Sequence, residues 1–179
     1  MTIYIITGPP GAGKSTLADK LATQLEQGLH LHCDDIYNMV KGGYKAPWDD
    51  HDHRLKNLMF DAAINIIQTY SSNGFDTVVD YVFSLDQLRK FVSSVSGPAV
   101  LQVVLPDVKI NVKQDLDRKW VAGEDRVRKY HREFSGTKQL RSFLLDTTLL
   151  DPGEALQKIL SITPIDTDHL VNQMEDAIG

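Results

Sequence analysis

Residues 8–16, with the sequence GPPGAGKST, carry the strongest chemical signal in the chain. Gly8, Gly11 and Gly13 let the backbone approach an anion closely, because a Cβ atom there would block the approach or forbid a positive φ. Lys14, a predicted catalytic residue, adds a charge for the β and γ phosphates, and Ser15 adds a hydroxyl oxygen for Mg²⁺. The segment therefore predicts an ATP site formed by Gly8, Pro9, Pro10, Gly11, Ala12, Gly13, Lys14, Ser15 and Thr16.

Carboxylates follow two predicted strands that would end beside this loop. Asp34 and Asp35 follow the strand at 29–33, and Asp80 follows the apolar run TVV. Asp34 is the predicted base that accepts a proton from an acceptor hydroxyl. The alternative is that Asp34 or Asp35 only caps the next helical turn, and Asp35 is the stronger candidate for that cap. Asp80 is a predicted ligand of a magnesium-bound water or a carboxylate that orients the substrate.

Residues 115–134, DLDRKWVAGEDRVRKYHREF, would supply cations over the γ phosphate. Two charged helical segments flank the break VAGE, which is how a lid would carry arginines to the phosphates. For any one of these side chains, the alternative is a solvated charged face. The cations that flank the break are Arg118, Lys119, Arg126 and Arg128, of which Arg118 and Arg126 are the predicted catalytic residues.

The segment at residues 42–54, GGYKAPWDDHDHR, is the predicted acceptor region. Aromatic walls with a few polar groups suit a small-molecule pocket, although the aromatic residues could equally be core plugs under the loop. His51 and His53 favour a solvated loop over a metal site, because a third clear ligand is missing. The predicted substrate-binding residues are Asp34, Tyr44, Trp48, Arg54 and Asp80.

Strands and helices alternate along the chain that must position these residues. Apolar, β-branched runs predict strands at residues 2–7, 29–33, 75–83, 99–105 and 142–145. Apolar spacing and capping residues predict helices at residues 14–27, 53–70, 85–95, 106–120, 125–134 and 153–160. This alternation is typical of an α/β protein with a parallel sheet and helices on both faces. We predict one domain over 1–179, with a lid turn at 119–125 and a C-terminal tail of loop and helix at 163–179.

Composition narrows the class of protein further. The chain has 179 residues, a formal net charge of −5 and one cysteine, Cys33. The acidic balance argues against nucleic acid as the main partner, and a lone cysteine excludes an internal disulfide. We see no export signal and no run of apolar residues long enough to span a membrane. The expectation is a cytoplasmic protein, monomeric or homodimeric.

With these residues in place, the chain resembles the nucleoside-monophosphate-kinase-like branch of P-loop kinases. Within that branch it is similar to chloramphenicol phosphotransferase, gluconate kinase, shikimate kinase and zeta toxins. The resemblance implies a three-layer P-loop NTPase fold with a five-stranded parallel sheet in the order 2-3-1-4-5 and a short helical lid. It also implies Asp34 as base or hydroxyl-orienting group, lid arginines on ATP, and Asp146 and Thr147 near the adenine.

The chain also departs from two members of that branch. It lacks an arginine shortly after Asp34 of the kind that grips a shikimate carboxylate, and it lacks the long nucleotide-monophosphate clamp with paired arginines. The expected function is an ATP- and Mg²⁺-dependent kinase acting on a hydroxyl of a sugar acid, antibiotic or similar metabolite. The alternatives are a regulatory protein that binds or hydrolyses ATP, and a kinase of a nucleotide sugar or nucleic-acid end.

Overall fold

A central parallel sheet organises the protein, which we describe from a computed structural model over residues 1–47, 49–118 and 121–176. Its strands run in the order β2-β3-β1-β4-β5, which confirms the predicted topology. The five strands are β1 (Ile3–Thr7), β2 (Gly28–His32), β3 (Asp76–Asp80), β4 (Pro98–Val104) and β5 (Leu144–Leu145).

Helices cover both faces of this sheet. The helices are α1 (Lys14–Gln24), α2 (Cys33–Asn38), α3 (Arg54–Ser71), α4 (Leu85–Val92), α5 (Val108–Leu116), α6 (Glu124–Gly136), α7 (Pro152–Leu160) and α8 (Thr167–Asp176). One core lies between the sheet and α2, α3, α4 and α8, and the other lies between the sheet and α1 and α7. No helix in the described ranges is long and apolar enough to cross a membrane.

The central strand β1 is a continuous apolar run because both of its faces are covered. All five residues of β1 are buried. Ile3 and Ile5 belong to one core, whereas Tyr4 and Ile6 belong to the other. A strand that is covered on both faces needs apolar side chains at successive positions, which gives a continuous run.

Strand register brings the predicted site residues to one edge of the sheet. Ile6 of β1 and His32 of β2 both pair with Asp80 of β3. The glycine-rich loop at residues 8–16, called the P-loop from here on, follows β1, and α2 follows β2. Both therefore begin beside the carboxylate that ends β3. This edge is the carboxyl end of the parallel strands, where ligands bind in open α/β sheets.

Two segments differ in kind from the sequence prediction, and the strand expected at residues 75–83 is shorter, since β3 ends at Asp80. The strand expected at residues 142–145 is a 3₁₀ helix over Lys138–Phe143 followed by a two-residue β5, because β5 pairs only with Val103 and Val104. The tail, expected to begin as a loop, forms a sixth short strand, β6 (Ile165–Asp166). This strand is antiparallel to the start of β4, which β5 is too short to cover.

The C-terminal helix α8 docks onto the domain rather than extending away from it. Leu170 and Met174 are 1% and 0% exposed and belong to the same core as α3 and α4. Arg89 of α4 donates a side-chain hydrogen bond to the backbone carbonyl of Met174. Packing of this kind makes residues 167–174 part of the folded unit.

Replacing a buried tail residue tests this docking. We expect Met174→Ala to lower the free energy of unfolding by about 2–5 kcal/mol, since it leaves a cavity at a fully buried position. The matched control is Gln173→Ala on the exposed face of α8. Urea unfolding curves measure both variants. Equal stability of Met174→Ala and wild type would show that the tail is not part of the cooperative unit.

Candidate functional site

The P-loop between β1 and α1 is shaped by glycines that no other residue could replace without strain. Gly8, Gly11 and Gly13 have φ values of 141°, 77° and 85°. A Cβ atom on Gly8 would lie 2.2 Å from the carbonyl oxygen of Val104 in β4. The loop therefore packs directly on the sheet, and its conformation matches the anion cradle expected from the sequence.

Lys14 is a buried cation at the start of α1. Lys14 is 7% exposed, and its Nζ donates a hydrogen bond to the carbonyl oxygen of Pro9 at 3.0 Å. Burial lowers the pKa of Lys14 from 10.5 to about 8, against the opposing effect of the nearby carboxylates of Asp80, Asp34 and Asp115. An ammonium group has three donors, so a phosphate can accept those that the protein leaves unused.

A cavity of about 420 Å³ opens over this loop. Its volume lies in the range of small-molecule sites. Its lining combines the end of the P-loop and the first turn of α1 with residues from α5, the loop after β5 and α7, namely Gly11, Ala12, Gly13, Lys14, Ser15, Thr16, Leu17, Val104, Gln114, Arg118, Thr147, Leu150, Asp151, Pro152 and Ala155.

The two residues expected near an adenine ring, Asp146 and Thr147, take different positions. Thr147 lines the cavity, whereas Asp146 is not among the described lining residues. Asp146 instead accepts hydrogen bonds from the backbone and the hydroxyl of Thr148, and the side-chain bond is the main reason that its pKa is lowered. Its contacts are those of a residue that shapes the loop.

Asp80 ends β3 as a nearly enclosed carboxylate, 1% exposed. Its Oδ2 atom lies 3.0 Å from Nε2 of His30, and its Oδ1 atom lies 3.5 Å from Nε2 of His32. Burial alone would lower the pKa of His30, but the hydrogen bond to Asp80 and its charge outweigh burial and raise that pKa. Oδ1 has no hydrogen-bond partner among the described residues, so one oxygen of this carboxylate is left for a ligand.

Asp34 and Asp35 lie in the first turn of α2 and face different surroundings. Asp34 Oδ2 lies 3.7 Å from His32 Nε2, and Asp35 Oδ1 lies 3.2 Å from His32 Nδ1. Burial raises the pKa of Asp34, while His32 and Lys14 oppose the rise. The Asp35 side chain is 74% exposed. The N-cap residue of α2 is His32, without a side-chain cap, so neither aspartate is the N-cap of this helix.

The structure separates the predicted lid cations. Arg118 lines the cavity, with Nη1 3.6 Å from Asp115 Oδ1. Arg126 is partly buried on α6 and is not among the described lining residues. Arg128 pairs with Glu124 on the same helix at 2.7 Å, and Lys119 lies outside the described residues.

The predicted acceptor loop is only partly drawn into the site. Tyr44 is 45% exposed and meets the ring of Tyr37 edge to face, with centroids 5.8 Å apart. Arg54 begins α3 with its side chain exposed. Trp48 lies outside the described residues. No described hydrogen bond, ion pair or ring contact joins Tyr44 or Arg54 to Asp34, so their assignment to substrate stays a prediction.

Two histidines that the sequence analysis passed over, His30 and His32, are central to the site. They sit two positions apart on β2, so their side chains share a face of the strand, and register brings that face beside Asp80. The pattern GLHLH before two aspartates was the available signal. Which carboxylate these histidines meet depends on the pairing of β2 with β3, which the local pattern does not contain.

Fold and site together define an α/β protein with a P-loop and a parallel sheet in the order 2-3-1-4-5. The sequence profile of a family described as an AAA domain matches residues 3–105, which is more than half of the chain, and the protein belongs to this family. The matched part runs from β1 through β4 and contains the P-loop, Asp34 and Asp80. No curated protein sequence matches the chain.

Solved structures share the fold at low sequence identity. The tunicamycin resistance protein of Deinococcus radiodurans gives a TM-score of 0.64 at 18% identity, over 91% of this chain and 97% of that one. A gluconokinase from Sinorhizobium meliloti 1021 gives 0.63 at 13% identity, over 99% and 95%. A chain of the Pnkp1/Rnl/Hen1 RNA repair complex gives 0.60 at 20% identity, over 79% of this chain and 46% of that one.

The buried charge of Lys14 predicts a trade-off between stability and binding. Below pH 8 the lowered pKa of Lys14 reduces the free energy of unfolding by an amount on the order of 3 kcal/mol. This cost disappears as the pH rises from 8 to 10.5, because the unfolded chain then also loses the proton. Lys14→Met should therefore raise the free energy of unfolding of the nucleotide-free protein by about 1–2 kcal/mol at pH 7, after loss of the Pro9 hydrogen bond. It should also abolish nucleotide binding.

Urea unfolding at pH 7 and pH 10 and calorimetric titration with ATP measure these effects. Lys20→Met, on the exposed face of the same helix, is the control and should change neither quantity by much. The stability gain of Lys14→Met should shrink at pH 10. A loss of stability at pH 7 would contradict the electrostatic cost assigned to this lysine.

Proposed function

We propose that this protein is an ATP- and Mg²⁺-dependent kinase that transfers the γ-phosphoryl group to a hydroxyl of a small molecule. One observation carries the proposal: Asp34 Oδ2 lies 3.7 Å from His32 Nε2, and His32 pairs with the strand end at Asp80, so this carboxylate stands at the sheet edge where the P-loop and its Lys14 begin. A base for the acceptor thus stands beside the cations expected to hold the donor. A bare nucleotide pocket has no need of that base.

The donor side is supported by shape and charge. The cavity over the P-loop is large enough for part of a nucleotide, and Lys14 brings a buried ammonium to its floor. The start of α1 adds the positive end of a helix dipole, which favours phosphate. ATP as donor, held by residues 8–16 with Thr147 also lining the cavity, is the simplest occupant.

Two oxygen atoms of the site suit Mg²⁺. Ser15 lines the cavity, and Asp80 Oδ1 is buried without a hydrogen-bond partner in the described part of the chain. Mg²⁺ in phosphoryl-transfer enzymes is held by one or two protein oxygens together with phosphates and water, which this pair fits. The ion would neutralise charge on the β and γ phosphates. His30 would hold the other oxygen of Asp80 in place.

The proposed reaction is an in-line displacement. The acceptor oxygen forms a bond to the γ phosphorus as the bond from that phosphorus to the β–γ bridging oxygen breaks, and ADP leaves. Asp34 accepts the proton of the acceptor hydroxyl. Its raised pKa suits a general base, because proton transfer is most efficient when the pKa approaches the working pH. Lys14 and Arg118 stabilise negative charge on the transferred group.

An aromatic wall beside Asp34 supports a small-molecule acceptor. Tyr81 directly follows Asp80, is 8% exposed and packs edge to face on Phe60 and Phe83. Burial is the main reason that its pKa is raised, and the next cause is the charge of Asp34. Its hydroxyl has no hydrogen-bond partner in the described ranges, so it is available to an acceptor that Asp34 also contacts. The acceptor classes proposed are a sugar acid, an antibiotic or a similar metabolite.

ADP release across an acceptor panel tests the function. The panel contains sugars, sugar acids, aminocyclitols, antibiotics, nucleosides and uridine-diphosphate sugars, each with ATP and Mg²⁺. With the best acceptor, Asp34→Asn should lower kcat by roughly 10²-fold or more and leave the Kd for ATP nearly unchanged. Asp35→Asn, its exposed neighbour, should keep kcat within about threefold of wild type. If ADP release is independent of every acceptor, a regulatory ATPase replaces the kinase. Full turnover by Asp34→Asn would remove the proposed base.

Tyr81→Phe tests the acceptor side separately. Removing one hydroxyl should raise the KM for the acceptor by roughly tenfold, because the acceptor then loses one hydrogen bond to a neutral group. The Kd for ATP should not change, because Tyr81 is not among the described residues that line the donor cavity. Tyr70→Phe, on the exposed end of α3, is the control. An unchanged KM would place the acceptor elsewhere.

A second candidate is a kinase of a nucleic-acid 5′ end. The structural likeness to a chain of an RNA repair complex supports it, and the net charge of −5 argues against it. A 5′-hydroxyl oligonucleotide belongs in the same panel. Turnover with this acceptor, strongly reduced by salt, would favour the second candidate over the first.

A further inference from the structure

Helix α5 joins the P-loop to the lid turn through two buried polar residues. Asn111 and Asp115 are four positions apart, so they lie on one face of the helix. Both are nearly fully buried, at 0% and 1% exposure. Asn111 donates a side-chain hydrogen bond to the carbonyl oxygen of Pro10. One turn later, Asp115 packs against the P-loop. A Cβ atom added to Gly11 would lie 2.8 Å from the Cβ atom of Asp115.

The carboxylate of Asp115 holds the backbone that follows Arg118. The amide of Ala122 donates to Oδ2 at 3.0 Å and to Oδ1 at 3.2 Å, and the amide of Gly123 donates to Oδ2 at 3.0 Å. Nη1 of Arg118 lies 3.6 Å from Oδ1. One buried side chain therefore contacts the P-loop, the lid turn and the arginine that lines the donor cavity.

Burial of this carboxylate calls for an explanation. An ionised carboxylate is costly to bury unless it is hydrogen-bonded, and charged acceptors form stronger hydrogen bonds than neutral ones. The ion pair with Arg118 is long and half exposed, so it contributes little by itself. The hydrogen bonds from the two amides provide the main compensation, and they fix Ala122 and Gly123 directly before α6.

We propose that Asp115 is a positioning residue that holds the Ala122–Gly123 turn against the P-loop and keeps Arg118 directed at the phosphate site. This role rests on the proposed kinase function, because it assigns the purpose of the turn to phosphoryl transfer. Asp115 touches no reacting atom. It acts through Arg118, and its loss should affect turnover more than nucleotide affinity.

Asp115→Asn tests the proposal, with Asp117→Asn on the exposed end of the same helix as the matched control. Hydrogen exchange should show the amides of Ala122 and Gly123 exchanging roughly tenfold faster or more in Asp115→Asn only. With the best acceptor, kcat should fall roughly tenfold or more while the Kd for ATP stays within about threefold. Equal exchange rates in the two variants would overturn the proposal.

A double-mutant comparison tests whether Asp115 acts through Arg118. The kcat of the double variant Arg118→Ala, Asp115→Asn should be no lower than the kcat of Arg118→Ala alone, because the side chain that Asp115 positions is already absent. Independent, multiplicative losses would overturn the coupling. If wild type shows no acceptor-dependent turnover, the kinase proposal fails, and the exchange rates still decide whether Asp115 holds the turn.

Gly123→Ala provides a second route to the same answer, in case Asp115→Asn does not fold. Gly123 has a φ of 94° and open space around its Cβ position, so alanine strains the turn without a clash. It should reproduce the faster exchange and the lower kcat. Gly136→Ala, at the end of α6 and also in open space, is the control. Wild-type exchange and turnover in Gly123→Ala would show that the geometry of the turn does not control Arg118.

Discussion

The buried ammonium of Lys14 is the charge on which the rest of the site depends. Only 7% exposed, it gives one hydrogen bond to Pro9, and burial lowers its pKa to about 8. The loop that precedes Lys14 packs closely on the sheet, since a Cβ atom on Gly8 would lie 2.2 Å from the carbonyl oxygen of Val104. A bound triphosphate would supply the missing negative charge. The free-energy cost of burying this ammonium is thus a source of affinity for phosphate.

The carboxylates of Asp80, Asp34 and Asp115 partly offset the charge of Lys14. Their other contacts differ, and so does the chemistry open to each of them. Asp80 is fixed by His30, and Asp115 is fixed by the amides of the lid turn. Asp34 has no partner closer than 3.7 Å in the described residues, and its side chain is 47% exposed. A general base needs an oxygen that can reach a substrate, so of the three only Asp34 combines accessibility with a place in the field of Lys14. Position in the hydrogen-bond network, rather than residue type, separates the proposed base, Asp34, from Asp80 and Asp115.

The sequence predicted the sheet and the P-loop because both rest on local patterns. The apolar run of β1 reflects burial on two faces, and the glycine spacing at 8–16 reflects backbone geometry within the loop itself. The short strands β5 and β6 escaped accurate prediction because their lengths depend on which stretch of β4 is left to pair. Asp115 escaped as well. It stands in a helix rich in charge, and periodicity cannot show which carboxylate will accept hydrogen bonds from backbone amides later in the chain.

The arginines of the predicted lid illustrate the same limit, and the packing of α6 restricts how such a lid could close. Sequence placed Arg118 and Arg126 together across a break, yet only Arg118 lines the cavity in the described structure. Helix α6 is anchored to the body of the protein by the buried side chains of Val127 and Phe134 and by His131, whose Nε2 lies 2.9 Å from the carbonyl oxygen of Pro106. A rigid swing of α6 would break these contacts and expose apolar surface, at about 25 cal/mol per Å². Closure on a nucleotide is therefore expected to involve the side chain of Arg118 and the short turn that Asp115 holds, with α6 staying in place.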